Sequence, residues 1–368
     1  MVIINGIIHP VGGAVIQSGF VAWEGGRITA VGEMARLPQG DLGEVIDARG
    51  GHVTPGYIDA HCHLGVFGDS LGFEGEDGNE CTDPITPHLR ALDALNPQDR
   101  CFAEARAAGV TTLVTGPGSA NPIGGQMLCV KTDGAIADRM VVAEPVSMKM
   151  ATGENPKTVY HERKESPTTR MTTAALIRTA LQKAQEYAAK RSNGKGDFDP
   201  KLEALQPVLK GELPVHIHAH RADDIATALR LSKEFGLRCV IVHGTEGHLI
   251  AKEIAAAGVS VITGPSLTDR SKPELQNASL TNPAVLAAAG VKVAICTDHP
   301  VIPIQYLPLC AALAVRGGMS EEAALAAITK NPAELLGLGH RLGTLEPGRT
   351  RTSWSPRTAR SAPPVCPP

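Results

Sequence analysis

The stretch LPVHIHAHRADDIATALRLSKEFGLRCVIVHG, residues 213–244, reads as strand, helix, strand. LPVHIHAH places His216, His218 and His220 two residues apart, so their side chains share one face of a strand. DDIATALRLSKEFG has the pattern of a helix, and RCVIVHG is a short apolar run ending in His243. Two strands joined through a helix run parallel.

The same unit recurs on either side. Upstream lie VTPGYIDAHCH from Val53, a helix near Pro97 to Ala108, VTTLVTGPG, VVAEPVSMKMATG and a long helix near Ala174 to Lys190. Downstream lie HLIAKEIAAAG, VSVITGP, NPAVLAAAG and VKVAICTDHP. Repeated βα units with short connections imply a parallel sheet, and their number favours an α/β fold closed into a (β/α)₈ barrel, a TIM barrel. Residues 1–52 instead alternate short apolar runs with Gly-centred turns, the pattern of a small antiparallel sheet. The expected division is a β-rich unit over 1–52, the barrel over 53–340, and a remnant of the β-unit with an aberrant tail over 341–368.

The 368 residues suit a barrel of ~250 residues plus an accessory unit. With 43% hydrophobic and 20% charged residues and a net charge of -3, nothing demands a polyanionic or membrane partner. The expectation is a cytoplasmic protein acting on a small molecule, with no nucleic acid and no membrane, and compatible with a homo-oligomer. The N-terminus lacks a basic region followed by a long apolar core. The eight cysteines are scattered without a CxxC pair and read as reduced core residues.

The polar residues of interest all stand where an apolar run gives way to a loop. In a (β/α)₈ barrel these ends form the catalytic mouth, so positions far apart in sequence converge. His61 and His63 project to one side of the first strand, and an isolated pair of this kind would more often be packed core histidines. Here His218 and His243 end two further strands, and Asp298 ends the last one with a carboxylate able to hold a cation and accept a proton from water. A lone Asp there would read as a helix cap, but the constellation changes that reading.

Lys149 lies between two methionines in VVAEPVSMKMATG. A desolvated lysine tends to lose its charge, and its neutral amine can capture CO₂ to give a carbamate able to bridge two metals. The bland reading is a lysine reaching solvent or pairing with Glu144 or Glu154. Glu154 could itself be the bridging carboxylate, and the sequence leaves both open.

VTPGYIDAHCH, GVTTLVTGPGSANPIGGQ, HIHAH, VHG, CTDHP and NPAELLGLGHRLGTLEPG together resemble the amidohydrolase superfamily, specifically its imidazolonepropionase-related and prolidase-like members. The similarity runs from about Val2 to Gly348. It implies a metal-bearing barrel with a small β-sandwich built from both chain termini. It puts the metal ligands at His61, His63, His218, His243 and Asp298, and MKMATG resembles the segment bearing a carboxylated lysine, here Lys149. The implied cofactor is one or two divalent ions, Zn²⁺ foremost.

The chain departs from the family after LEPG, where relatives continue with a strand resembling GKDADLVV and this one ends TRTSWSPRTARSAPPVCPP. Codons for Thr350–Ser355, read one base earlier after a G, can encode Asp-Ala-Asp-Leu-Val-Val. The C-terminal part of the sandwich therefore reads as truncated or frameshifted, with a disordered tail; independent resequencing of the locus decides it.

The expected chemistry is metal-assisted hydrolysis of an amide or peptide-like C–N bond. Asp298 acts as proton acceptor and donor, His243 helps to polarise the carbonyl, and His220 and His299 orient ligands or substrate. Lys157, Tyr160 and Arg170 are candidates for holding a substrate carboxylate. A mononuclear deaminase is the second reading, weakened because HAHRADD has no Glu after His218. A cyclic-amide hydrolase and a catalytically impaired metal-binding barrel are the others.

Overall fold

The structure is a computed structural model that describes residues 1–350. Strands β1 (Val2–Ile8), β2 (Ile16–Glu24), β3 (Arg27–Glu33), β4 (Val45–Asp47) and β5 (His52–Val53) form one sheet in the order β3-β2-β1-β4, with β5 also on β1. The sheet is mixed rather than antiparallel. β1, β2 and β3 pair antiparallel, β2 and β3 through the tight turn at Gly25 and Gly26, whereas the 34–44 connection carries the chain back so that β4 and β5 run parallel to β1. Ile8, Val21, Trp23 and Ile28 form its core, with Leu345 packed against them. Residues 348–350 return to the β3 edge: Ile28 N–H donates to Arg349 O, and Gly348 N–H to Ile28 O. The anticipated aberrant tail after Thr350, with its frameshift, lies outside the described residues.

The second sheet has eight strands in the order β13-β12-β11-β10-β9-β8-β7-β6. They are β6 (Tyr57–Cys62), β7 (Val110–Thr115), β8 (Ile123–Lys131), β9 (Val141–Ala151), β10 (Val215–Ala219), β11 (Cys239–His243), β12 (Ser260–Thr263) and β13 (Val293–Ile295). This is an α/β fold around a nearly closed barrel, with one departure from the expected all-parallel arrangement. β8 is antiparallel to both β7 and β9. The 116–122 link between β7 and β8 is too short for a crossover helix, and a short link returns the chain antiparallel.

The helix Ala222–Phe235 shows how local sequence builds the outer layer. Asp223 and Asp224 sit in its first turn, where the helix dipole favours negative charge, and Gly236 ends it in the left-handed conformation at φ 65°. Ile225, Ala228, Leu231 and Ser232 are its inward face against β10 and β11.

Closure between the first and last barrel strands is made beyond the strand ladder. Asp298 N–H donates to His61 O at 3.2 Å and His63 N–H to His299 O at 2.8 Å. Fully buried Asp59 ties the seam, accepting from Thr297 N–H (3.1 Å), Thr297 Oγ1 (2.5 Å) and His61 N–H (3.1 Å). Burial raises the Asp59 carboxyl to about 7, against the pull of those donors. The seven cysteines among the described residues are free, and all but Cys81 are buried.

Candidate metal centre

β6, β9, β10, β11 and the segment after β13 all deliver their polar side chains at C-terminal strand ends, so those side chains meet at one mouth. Two groups form there. The possible ligand atoms of His61, His63 and Asp298 lie within 4.8 Å of one another, as do those of His218, His220 and His243. The groups adjoin, with the His61 and His243 ring centroids 5.6 Å apart.

Lys149 joins them. It is fully buried on β9, its backbone registers with His216 of the second group's strand, and its Nζ lies 3.1 Å from His61 Nε2. Burial lowers its ammonium to about 8. Of the two candidates for the bridging position, this is the one at the histidines. Glu154 stands at the start of the following helix, where its Oε2 accepts the Glu274 N–H at 3.3 Å.

Backbone carbonyls orient the imidazoles. His63 Nδ1 is 2.8 Å from Gly116 O and His243 Nδ1 is 2.7 Å from Gly264 O. A carbonyl only accepts, so both rings carry hydrogen on Nδ1, which leaves Nε2 as the nitrogen available to the mouth. Gly264 (φ 140°) permits this approach, since a Cβ there would lie 2.4 Å from Cys296 O. Side-chain hydroxyls hold two more rings: Ser119 Oγ is 2.9 Å from His218 Nδ1, and Thr245 Oγ1 is 2.7 Å from His220 Nδ1.

The electrostatics suit cation binding. Burial first, then the neighbouring Lys149, holds His61 and His218 well below the usual histidine range, and burial does the same to His243. The rings are therefore neutral donors. Burial works to raise the Asp298 carboxyl, but His243, His63 and Lys149 outweigh it and leave it below the ordinary value. Its Oδ1 is buried with no hydrogen-bond donor, 3.3 Å from His63 Nε2 and 3.5 Å from His61 Nε2. Imidazole nitrogens converging on an unsatisfied buried carboxylate oxygen are the donor set of a divalent-cation site, and the family's implied metal fits them. His243 (φ 74°) and Asp298 (φ 57°) both adopt the left-handed conformation at this mouth.

Of the other sequence candidates, His220 belongs to the second group and the rest lie apart from it. His220 stacks on His243 at 4.4 Å between centroids. His299 is buried beside the seam with both ring nitrogens unpartnered. Lys157 is exposed on the helix Glu154–Glu162. Arg170 is occupied by Asp224, its Nε 2.9 Å from Oδ1. Tyr160 is fully buried and donates to Asn121 Oδ1 at 2.7 Å, which gives it a packing role rather than the expected contact with a substrate carboxylate. Tyr160→Phe, leaving that Asn121 acceptor unsatisfied, is expected to cost about 1–3 kcal/mol of stability in chemical denaturation with KM unchanged. A raised KM at unaltered stability would return Tyr160 to the substrate.

Sequence reasoning missed two residues here. Asp59 stood in plain sight in IDAHCH, two residues before His61. Glu274 lies in the loop SKPELQNASL, which has no periodicity and no motif to mark it.

The comparisons agree with this geometry. A profile of the Amidohydrolase family matches residues 52–350. An amidohydrolase from Thermotoga maritima MSB8 has a similar structure, with a TM-score of 0.91 and 42% identity over 95% of this chain and 92% of its own. Amidohydrolase tasK of Hapsidospora irregularis is 30% identical over 90% of this chain, which spans only 37% of that larger protein. Imidazolonepropionase of Acidiphilium cryptum is 28% identical over 91% of this chain and 86% of its own length. By its profile match, and by a mouth lined with neutral imidazoles and a carboxylate, this chain belongs to the amidohydrolase family.

Proposed function

We propose that this chain hydrolyses an amide or peptide-like C–N bond of a small molecule, with His61, His63, Asp298, His218, His243 and Lys149 holding one or two divalent cations of the Zn²⁺ class. The observation that carries the reading is the pair of adjoining donor groups with the buried amine of Lys149 against His61. Family membership supports metal-dependent hydrolysis of a C–N bond; the substrate and the metal's identity are part of the proposal.

When bound, such a cation lowers the pKa of water to about 7 and polarises a carbonyl. The residues supply the rest. Asp298 sits with one carboxylate oxygen against His61 and His63, and the carboxylate takes the proton from the attacking water and returns it to the leaving nitrogen. His63 and His243, locked through Nδ1 by backbone carbonyls, keep their geometry through the reaction. His220 stands in the second group, its ring stacked on that of His243. Among the described residues no helix is long and apolar enough to cross a membrane.

Elemental analysis of the purified protein, paired with a panel of N-acyl amino acids, dipeptides and aminated heterocycles, tests the reading. The expected result is bound divalent metal with turnover of an amide member that chelation abolishes and metal restores. Ammonia release from heterocycles alone would replace it with deamination, and bound metal without any turnover would leave a binding protein.

A further inference from the structure

Glu274 is a fully buried carboxylate, and neither of its oxygens has a hydrogen-bond partner. Its Oε1 lies 3.6 Å from His220 Nε2 and 3.9 Å from His218 Nε2. An ionised carboxylate removed from water without donors is costly, and proteins keep one only where a charge or a metal compensates it.

The surroundings hold Glu274 in this place. Its backbone N–H is accepted by Glu154 Oε2 at 3.3 Å, and Lys272 Nζ donates to Asn155 Oδ1 at 3.0 Å, so two bonds pin its segment to the start of the helix Glu154–Glu162. Gly153 (φ 85°) clears the space: a Cβ there would lie 3.5 Å from Glu274 Oε2 and 2.9 Å from Asp224 Oδ2. Arg170 is spent on Asp224 through three contacts of 2.9–3.1 Å. A loop after β12 is thus anchored so as to press an unsatisfied carboxylate onto the imidazoles of β10.

We propose that Glu274 completes the second donor group, so that His218, His220, His243 and Glu274 together bind a divalent cation with three imidazoles and one carboxylate. This rests on the metal-dependent reading of the mouth, and it adds a ligand from a loop that the sequence did not implicate.

The test measures cation uptake. The metal-free wild type, Glu274→Gln and Glu274→Asp are titrated with Zn²⁺ and with Co²⁺, reading stoichiometry by equilibrium dialysis and elemental analysis, and thermal melting with and without metal. The wild type is expected to bind two cations. Both variants are expected to keep the first and to bind the second more than about 100-fold more weakly, beyond the 10–100-fold typical of groups that only support a ligand. The metal-induced rise in Tm of Glu274→Gln should be smaller than that of the wild type. The Gln variant's own melting shows that it is folded, and the Asp variant withdraws the same carboxylate by one methylene without removing it.

Unchanged affinity for both cations in both variants would overturn the assignment. Retention of both cations with loss of turnover would also overturn it, giving Glu274 a proton-handling role instead. A wild type that takes up no cation would sink the metal reading as a whole, whereas two cations in wild type and variants alike sinks the Glu274 assignment alone.

Discussion

Asp298→Asn is expected to lower kcat by about 10²–10⁴-fold, the range set by loss of a positioned proton-transfer group, while the protein still takes up at least one divalent cation. The amide retains the size of the carboxylate and one oxygen toward His61 and His63, but it neither accepts the proton from water nor carries the charge that draws a cation. The fold should tolerate the change, because the bond from Asp298 N–H to His61 O is made by the backbone and Asp59 still ties the seam through Thr297. The left-handed backbone at this position also suits Asn, which with Asp tolerates that region better than most residues. Steady-state kinetics on the substrate found by the panel, set beside metal content and melting temperature, separates the effects. Unaffected turnover would refute the proton role, and a folded but metal-free variant would show that Asp298 acts chiefly as a ligand.

How far this mouth was legible in the sequence follows from the physics of each element. Strand-end histidines declare themselves, because period-two spacing in VHIHAH and DAHCH puts them on one face and a barrel brings all such ends to one rim. The adjoining groups around His61 and His218 are the spatial consequence. β8 was not legible: GSANPIGGQMLCVK opens with small residues and turn formers, and its strand character comes from pairing with β7 and β9 rather than from pattern.

Glu274 was illegible for a different reason. Its significance lies wholly in the tertiary placement of a loop that carries no repeat, and only the absence of partners around its oxygens reveals it. Arg170 and Tyr160 err in the opposite direction. A charge and a phenol in a loop-like stretch suggest ligand contacts, until Asp224 and Asn121 are seen to satisfy them. Burial and partner satisfaction are the quantities a single sequence does not display, and they decide between a structural polar residue and a functional one.

Lys149→Ala is expected to lower turnover by about 10²–10³-fold, the scale of removing one preorganised stabilising group at the reacting centre, with partial restoration by acetate or propionate. The reasoning begins with burial. An amine with no exposed surface, pushed down to about 8 by desolvation, is in part a free base near neutral pH, and a free-base amine is what CO₂ reacts with. Its nitrogen lone pair forms the N–C bond, one C–O π pair moves to oxygen, and the nitrogen gives up a proton, leaving a carbamate. That exchange replaces an amine whose charged form disfavours protonation of five buried histidines with an anion that their cation-binding mouth requires. Cavity space left by the alanine should admit a small carboxylate in the same role. Accordingly, native mass spectrometry of the metal-loaded protein should show the mass of one added CO₂, and protein stripped of metal and CO₂ should regain turnover fully only when both bicarbonate and metal are returned. Full reactivation by metal in CO₂-free buffer, with no added mass, would leave Lys149 as an amine that positions His61 through their 3.1 Å contact.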